Sequence, residues 1–359
     1  MKMLKLFIFC CLLIINSVAF AEDIQRIKIG CAFSLTGVGS AWGNGELNAL
    51  KLIVEDVNST KGIDGKKLEL ICEDTKSSNL GSVSAIKKLV TIDKVDYLIG
   101  PTWLDSFRGV LPILDQAKIF TISASAVPSI YKKNIDQYPY VFSTWYNHEN
   151  EVKTLLQDML ERKFKKIALL FDQDPYFQAT ADLIQNLAPK LNLEVVKRID
   201  TSIGDSNFTP KLLQLKSINP DLIIIGFIDE SAGLAFLKRR SEILPEKTFY
   251  GFHDIDAYID QEMYKGLLSG IYYVRPVAPK EDFLNRYQAV YGSVPILSTS
   301  NSYDAGRVLV EALKAGKRNP DEIANYFKSN QFDTVTFGKT TFDEFGAVTG
   351  GEFEIVKIP

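Results

Sequence analysis

Residues 27–72 read IKIGCAFSLTGVGSAWGNGELNALKLIVEDVNSTKGIDGKKLELIC, and this stretch decides the fold class. Apolar residues alternate with small or charged ones over 27–31, a pattern typical of a β-strand. A glycine-rich loop is predicted over Ser34 to Gly45, and apolar residues then recur at helical spacing from Leu47 to Val57. An Asp-Gly turn leads into a second predicted strand over Lys67 to Cys72. Because parallel strands need a crossover, the stretch predicts a βαβ unit.

The same alternation of short apolar strands and amphipathic helices continues along the rest of the chain. It predicts strands over 97–100, 119–123, 167–171, 193–199, 222–227, 248–251 and 270–274, and helices over 149–162, 177–191, 280–291, 300–315 and 321–328. The strands fall into two sets on either side of a connection near Phe142 to Tyr146. This division predicts an α/β protein with two lobes of similar design, and a chain of 359 residues is also longer than one ordinary core.

The first residues predict an export signal. Lys2 and Lys5 precede an apolar run from Leu6 to Ile15, and the small-residue pattern Ala19-Phe20-Ala21 follows, so we expect cleavage after Ala21. The apolar run is shorter than the roughly 20 residues that cross a bilayer, so a membrane anchor is not expected. The predicted location of the mature chain is the periplasm, where we expect it to be soluble and not inserted in the membrane.

Removal of the signal changes the composition. Only Cys31 and Cys72 remain, in two predicted neighbouring strands where a disulfide would be strained, so the sequence favours two buried thiols. Loss of Lys2 and Lys5 takes two positive charges from a formal net charge of −3, which leaves −5. This mild acidity argues against a nucleic-acid partner.

Several segments of the chain resemble, in order, the periplasmic branched-chain amino-acid (Leu/Ile/Val) binding proteins. The most specific of them is DVNSTKGIDGKKLEL, within the longer match LTGVGSAWGNGELNALKLIVEDVNSTKGIDGKKLEL. The resemblance continues in YLIGP, ISASAVPSI, KKIALLFDQDPY, PDLIIIGF and FGKTTFDEFG, and so covers nearly all of the mature chain.

The resemblance implies a type I periplasmic binding fold, with two Rossmann-like lobes built on parallel sheets and joined by three crossovers. The N-terminal lobe would comprise residues 22–143 plus 277–345, and the C-terminal lobe 144–276 plus 346–359, after a signal peptide over 1–21. Closure about the hinge would enclose a small-molecule ligand and deliver it to an ABC transporter permease in the inner membrane. The resemblance implies a monomer that needs no cofactor and no metal and is not an enzyme.

The candidate ligand-binding residues lie in loops beyond the carboxyl ends of the predicted strands, where parallel sheets form their ligand crevices. They are Trp42, Thr102, Trp103, Leu104, Ser125, Ala126, Tyr176, Asp229, His253 and Asp254. Trp42 and Tyr176 match aromatic positions of the family, and Trp103 is equally consistent with packing its own loop. Thr102 and Asp229 are each either a ligand contact or a helix cap.

Three positions depart from the family pattern. The relatives hold the carboxylate and ammonium groups of an amino acid with two hydroxyls and one acid. Leu104 and Val127 occupy the hydroxyl positions, and neither side chain donates a hydrogen bond. His253 occupies the acid position, beside Asp254, where an imidazole would bind an anionic group, respond to pH or simply lie in solvent. The expected ligand is therefore a small polar or amphipathic molecule, an amino acid or a related compound.

Trp145, Tyr146 and His148 lie near the crossover, and their position favours a role in hinge packing or at the surface.

The loop from Gly37 to Gly45 is similar to dinucleotide-binding loops in its glycine content, but GVGSAW lacks the third glycine of G-x-G-x-x-G. With two histidines, a catalytic triad or a metal site would need nearly all of them. The alternatives are a ligand-sensing protein of the same fold that signals to a membrane receptor and, less favoured, a secreted enzyme.

Overall fold

The computed structural model describes residues 26–359 except Ile135, Asn147, Asp260 and Ala278. The predicted signal peptide and its cleavage after Ala21 lie outside the described residues. Within the part of the chain that the structure describes, no helix combines the length and the apolar character needed to cross a membrane.

Fourteen strands and ten α-helices are found among the described residues. The strands are β1 (Arg26–Phe33), β2 (Lys67–Asp74), β3 (Tyr97–Ile99), β4 (Thr121–Ser123), β5 (Val141–Tyr146), β6 (Lys166–Asp172), β7 (Glu194–Thr201), β8 (Leu222–Gly226), β9 (Thr248–Gly251), β10 (Tyr272–Pro276), β11 (Phe332–Thr334), β12 (Gly338–Phe342), β13 (Ala347–Thr349) and β14 (Phe353–Lys357). The helices are α1 (Ser40–Asn58), α2 (Asn79–Lys88), α3 (Phe107–Ala117), α4 (His148–Glu161), α5 (Pro175–Leu187), α6 (Thr209–Ile218), α7 (Glu230–Ile243), α8 (Glu281–Tyr291), α9 (Leu297–Lys314) and α10 (Pro320–Ser329).

The strands form two sheets. Eight strands in the order β11-β12-β13-β5-β4-β3-β1-β2 make the first sheet, and six in the order β14-β10-β9-β8-β6-β7 make the second. The pairings among β1 to β5 and among β6 to β10 are parallel, whereas β11, β12 and β14 join antiparallel at the edges. The predicted α/β architecture with two parallel-dominated sheets is confirmed.

Helices cover both faces of each sheet, as buried parallel strands require. In β1, Cys31 and Phe33 belong to a core shared with α1 and α9, whereas Ala32 between them belongs to a core shared with α2 and α3. The period of two along the strand therefore places neighbouring side chains in different cores. The second sheet likewise separates two apolar clusters.

The first helix begins earlier than the sequence predicted. The stretch Ser34 to Gly45 was expected to be a loop, but α1 starts at Ser40 and includes Gly43 and Gly45. A Cβ atom at Gly43 would collide with the backbone of Ser34, and one at Gly45 would collide with the hydroxyl of Thr299. These glycines therefore serve close helix packing and do not mark an extended loop.

The two mature cysteines form a disulfide, so the prediction of two buried thiols is wrong. Cys31 on β1 and Cys72 on β2 are directly opposite in the parallel register, with a Cα–Cα distance of 4.4 Å. That separation is at the short end of the range of protein disulfides. The bond ties the edge strand β2 to its neighbour β1 in the first sheet.

The chain passes between the two sheets after β5, after β10 and after β13. We place the lobe boundaries a few residues later than residues 143 and 345, because β5 ends at Tyr146 and β13 ends at Thr349. Both of these strands belong to the first sheet. The first lobe then holds β1 to β5 with β11 to β13, and the second holds β6 to β10 with β14.

Candidate functional site

Aromatic side chains from both lobes meet where the carboxyl ends of the two sheets face each other. In the first lobe Trp103 follows β3 and Trp145 lies near the end of β5; in the second lobe Tyr176 follows β6 and His253 follows β9. Together with neighbouring rings they form a continuous series, which we call the aromatic wall: Trp103, Trp42, Trp145, Tyr146, His253, Tyr176 and His148.

Successive rings of the aromatic wall are in contact. The ring centroids are separated by 6.2 Å for Trp103 and Trp42, 6.0 Å for Trp42 and Trp145, 5.0 Å for Trp145 and His253, 6.0 Å for His253 and Tyr176, and 4.1 Å for Tyr176 and His148. Tyr176 also packs against the first-lobe cluster that contains Leu104 and Ala126. The two lobes therefore touch through this wall.

Trp103 is held in an unusual backbone conformation. Its φ of 67° lies in the left-handed region, which bulky residues rarely adopt. Its backbone N–H donates to the hydroxyl of Ser125 at 3.2 Å, and a Cβ atom at Gly39 would lie 2.8 Å from its ring. The indole Nε1 is buried without a hydrogen-bond partner. The loop thus fixes the ring while leaving one buried donor unused.

A buried hydrogen-bonded group, the hinge cluster, connects the lobes: Tyr146, Glu151, Tyr176 and His253. The Tyr146 hydroxyl donates to Oε1 of Glu151 at 2.8 Å, and the Tyr176 hydroxyl donates to Oε2 at 2.7 Å. His253 Nδ1 lies 3.1 Å from Oε1 and 2.9 Å from the Tyr146 oxygen. Because the Tyr146 proton is directed at the carboxylate, the His253 Nδ1–H donates. Three of these four contacts end on the Glu151 carboxylate, which is fully buried.

The charges in the hinge cluster are coupled. Burial alone would lower the pKa of His253, but the hydrogen bond and the charge of Glu151 outweigh burial and raise it. Burial, followed by the nearby Glu151 carboxylate, raises the pKa of Tyr146 and Tyr176 well above 10. The cluster therefore places the Glu151 carboxylate against an imidazole of raised pKa and between two phenols of raised pKa.

The pKa of His148 is shifted in the opposite direction to that of His253. Its side chain is 4% exposed, its Nδ1 lies 3.0 Å from the Thr180 hydroxyl, and its Nε2 is buried without a partner. Burial lowers the pKa of His148 to about 4, with nearby Glu151 opposing that effect only in part. This imidazole is neutral at neutral pH, because its pKa lies well below 7.

Three aspartates lie at the carboxyl ends of second-lobe strands. Asp172 accepts the N–H of Ile228 at 2.7 Å, and Asp174 caps α5 by accepting the N–H of Tyr176 at 2.8 Å. Burial raises the pKa of Asp172 to about 6 and those of Asp174 and Asp254 to about 7. Oδ1 of Asp254 has no partner and lies beside an internal cavity of about 40 Å³.

Several sequence-predicted residues are engaged within their own lobe. Thr102 donates to Oε2 of Glu46 at 2.6 Å and accepts the N–H of Ser34 at 3.1 Å. Leu104 and Val127 are buried in apolar clusters, at 5% and 3% exposure, and Tyr176 packs against the cluster that contains Leu104.

Three further candidates make local contacts. The Ser125 hydroxyl accepts from the Trp103 backbone, and the Ala126 carbonyl accepts from Ser143. Asp229 caps α7 by accepting the N–H of Ala232 at 2.8 Å. Their role in ligand binding stays a prediction, as does that of Trp42, Trp103, Tyr176, His253 and Asp254, which the structure brings to or beside the aromatic wall.

Sequence reasoning missed Glu151 and underrated His148. The two residues are three positions apart at the start of α4, so they share one face of the helix, and this face points into the hinge cluster. The H-x-x-E spacing directly after an aromatic strand end was the available signal. Glu46 was also missed, because its place among exposed residues of an amphipathic helix predicted a solvated side chain.

The described residues contain no group of three or more His, Cys, Asp or Glu side chains arranged to hold a metal ion. The arrangement offers flat apolar faces and a few buried donors and acceptors. Such a lining can stack an apolar body and bind its polar groups without covalent chemistry.

Known proteins are similar to this chain in both sequence and fold. Residues 26–357 match a family model described as periplasmic binding protein. The chain is 25% identical over 360 aligned positions to the Leu/Ile/Val-binding protein of Escherichia coli (strain K12), covering 96% of this chain and 94% of the relative. These matches confirm the resemblance read from the sequence.

Solved structures of solute-binding proteins are also similar to this chain in fold. The branched-chain amino acid transporter substrate binding protein of Streptococcus pneumoniae, in complex with isoleucine, superposes with a TM-score of 0.79 at 25% identity over 93% of this chain and 100% of that chain. An ABC transporter solute binding protein of R. palustris, in complex with 4-hydroxybenzoate, has a TM-score of 0.82 at 17% identity over 93% of each chain. The type I periplasmic binding fold expected from the sequence is confirmed.

Proposed function

The chain belongs to the periplasmic binding protein family, and from that premise we propose that it captures a small amphipathic molecule for an ABC importer by closing two lobes about a hinge. Proteins of this family bind small-molecule ligands and work with ABC transporter permeases, and its members are solute-binding proteins and not enzymes. The periplasm is the compartment in which the relatives act.

The observation that carries the proposal is the aromatic wall. It joins first-lobe rings such as Trp42 and Trp145 to the second-lobe rings of His253 and Tyr176. Tyr146 belongs to the last parallel strand of the first sheet, and its hydroxyl contacts Glu151 and His253 of the second lobe. A ligand between the lobes would touch both, so its binding energy would favour the closed arrangement.

The ligand we propose has an apolar, preferably flat, body and a polar end. The Escherichia coli relative is named for leucine, isoleucine and valine, and the Streptococcus structure is a complex with isoleucine. This chain has Leu104 and Val127 at the two positions where the resemblance implies hydroxyls. His253, whose imidazole has a raised pKa, occupies the position where the resemblance implies an acid that accepts the ammonium group of an amino acid. An aromatic carboxylate of the kind named for the R. palustris neighbour fits these departures better than leucine.

A thermal-shift screen of the mature protein tests the proposal. The panel contains leucine, valine, benzoate, 4-hydroxybenzoate, simple amides and short polyols. A compound present at one hundred times its dissociation constant adds about 2.7 kcal/mol to the free energy of unfolding, which raises the melting temperature measurably. Small-angle X-ray scattering with the best compound should show a smaller radius of gyration, as hinge closure requires.

Two outcomes contradict the proposal. If no compound raises the melting temperature and none changes the radius of gyration, solute capture by closure is wrong. If leucine and valine stabilise the protein as strongly as any other compound, the interpretation of Leu104, Val127 and His253 is wrong. Trp42→Ala should abolish the shift produced by the best compound. Tyr326→Ala, which removes a half-buried ring of the first lobe on α10, is the matched control and should leave that shift unchanged.

A further inference from the structure

His148 carries a buried nitrogen that the protein itself leaves unused. The side chain is 4% exposed, and Nε2 has no hydrogen-bond partner. One face of the imidazole packs on the ring of Tyr176 with a centroid distance of 4.1 Å. A buried polar atom without a partner costs about 1 to 3 kcal/mol, so its retention points to a partner that arrives with a ligand.

The hydrogen bonds around Thr180 fix which nitrogen of His148 carries the proton. The Thr180 hydroxyl has one hydrogen, and it donates that hydrogen to the backbone carbonyl of Tyr176 at 2.8 Å. Its contact of 3.0 Å with His148 Nδ1 must therefore run the other way, with Nδ1–H as the donor. In a neutral ring Nε2 is then a bare acceptor.

The same geometry gives the direction of the free acceptor. Helix α5 starts at the cleft end of β6 and runs away from it, so Thr180 lies one turn deeper in the second lobe than Tyr176. Nδ1 points at Thr180, so Nε2 lies on the other edge of a ring that packs beside Tyr176 of the aromatic wall. His148 thus presents an acceptor beside the ring of Tyr176.

We propose that Nε2 of His148 is a specificity-determining acceptor for an uncharged hydroxyl on an aromatic ligand. This inference rests on the proposed function and names the group that the second lobe recognises. The aromatic wall would stack the ring of the ligand, and the hydroxyl would donate to Nε2. Ligands that lack the hydroxyl would leave the buried nitrogen without a partner.

An uncharged donor fits this position better than an ammonium group. The nearest ionic groups of the second lobe are the Glu151 carboxylate and His253, and the carboxylate already accepts from Tyr146, Tyr176 and His253. An ammonium group beside His148 would lie near His253, whose raised pKa favours a positive charge, and both oxygens of the Glu151 carboxylate already accept hydrogen bonds. A hydroxyl needs only the single acceptor that His148 offers.

Imidazole NMR of the mature protein tests the first part without any ligand. The chain has two histidines, so the signals of His148 and His253 separate with one variant. At neutral pH His148 should show a neutral ring with a proton on Nδ1 and an unprotonated Nε2. Detection of a proton on Nε2 overturns the inference. Thr180→Val removes the partner of Nδ1 and should give a mixture of both tautomers.

Calorimetric titration with 4-hydroxybenzoate and benzoate tests the second part. The wild-type protein should bind 4-hydroxybenzoate about 10- to 100-fold more tightly than benzoate, because the unpaired acceptor penalises the analogue. His148→Phe keeps a ring beside Tyr176 and should bring the two affinities within threefold of each other. His148→Gln, which restores an acceptor, should recover part of the preference.

Each outcome separates the inference from the proposed function. If His148→Phe weakens both compounds equally, the residue is structural and the inference is wrong. If the wild-type protein binds neither compound, the assignment of an aromatic hydroxyl ligand is wrong, whereas a stabilising compound elsewhere in the thermal-shift panel still supports solute capture. If nothing in the panel binds, the proposed function itself fails.

Discussion

Replacement of Glu46 by glutamine should change how the stability of the protein depends on pH. Glu46 on α1 is 0% exposed; its Oε2 accepts from Thr102 and its Oε1 has no partner. Burial raises the pKa of this carboxyl from 4.5 to about 7, against the smaller opposing effects of hydrogen bonds from Ser125 and Thr102. The folded protein therefore binds this proton more tightly than the unfolded chain does.

The direction and the magnitude of the pH effect on stability follow from this difference in proton affinity. Between pH 4.5 and about 7 the folded state holds the proton while the unfolded state releases it, so the free energy of unfolding falls as pH rises through this interval. At about 1.4 kcal/mol per pKa unit, the full effect is about 3 kcal/mol. Glu46→Gln has no charge to bury, so relative to wild type it should gain about 2 to 3 kcal/mol between about pH 5 and pH 8.

Urea unfolding at several pH values measures this effect in the mature protein. Glu55→Gln, on the exposed face of the same helix, removes the same charge without burial and should run parallel to wild type at every pH. Parallel profiles for wild type and Glu46→Gln would refute the reasoning, because they would mean that the buried carboxyl is already compensated in the folded state.

Three further predictions concern the fold and the cleft. Gly39→Ala places a methyl group 2.8 Å from the ring of Trp103 and should weaken binding of the best screened compound about tenfold by calorimetry, with circular dichroism unchanged. Replacing Cys31 and Cys72 together by alanine removes a link across 41 residues and should lower the free energy of unfolding by about 4 kcal/mol, after which dithiothreitol has no further effect. His253→Asn leaves the buried carboxylate of the hinge cluster unpaired and should cost about 3 kcal/mol in mild acid. Because the folded state raises the pKa of His253, that cost should shrink as pH rises through the raised pKa; a cost independent of pH would contradict the ion pair.

The sheets were predictable from the sequence because buried parallel strands are continuous apolar runs. The strand Thr248–Gly251 was predicted to the residue, and α4 and α8 within one residue at either end. The strands β11 to β14 were not predicted, since each is only three to five residues long. The start of α1 was missed because its glycines reflect contacts with Ser34 and Thr299, which are tertiary and invisible along the chain.

The candidate site was only partly predictable, for a similar reason. The rule that ligand loops follow parallel strands led to Trp103, Tyr176 and His253, because strand ends can be read from the sequence. It could not show that Leu104 turns into the core or that Glu151 receives three hydrogen bonds. Those properties depend on side chains from four separate segments, and a single sequence does not give their distances.

The three tryptophans of the chain, Trp42, Trp103 and Trp145, all belong to the aromatic wall. The sequence has no other tryptophan to contribute a constant background, so all of the tryptophan emission of this protein originates in the aromatic wall. Ligand entry and lobe movement should therefore alter the whole of the emission signal and not a fraction of it. Stopped-flow measurements of tryptophan fluorescence can therefore follow ligand capture and release without any attached dye.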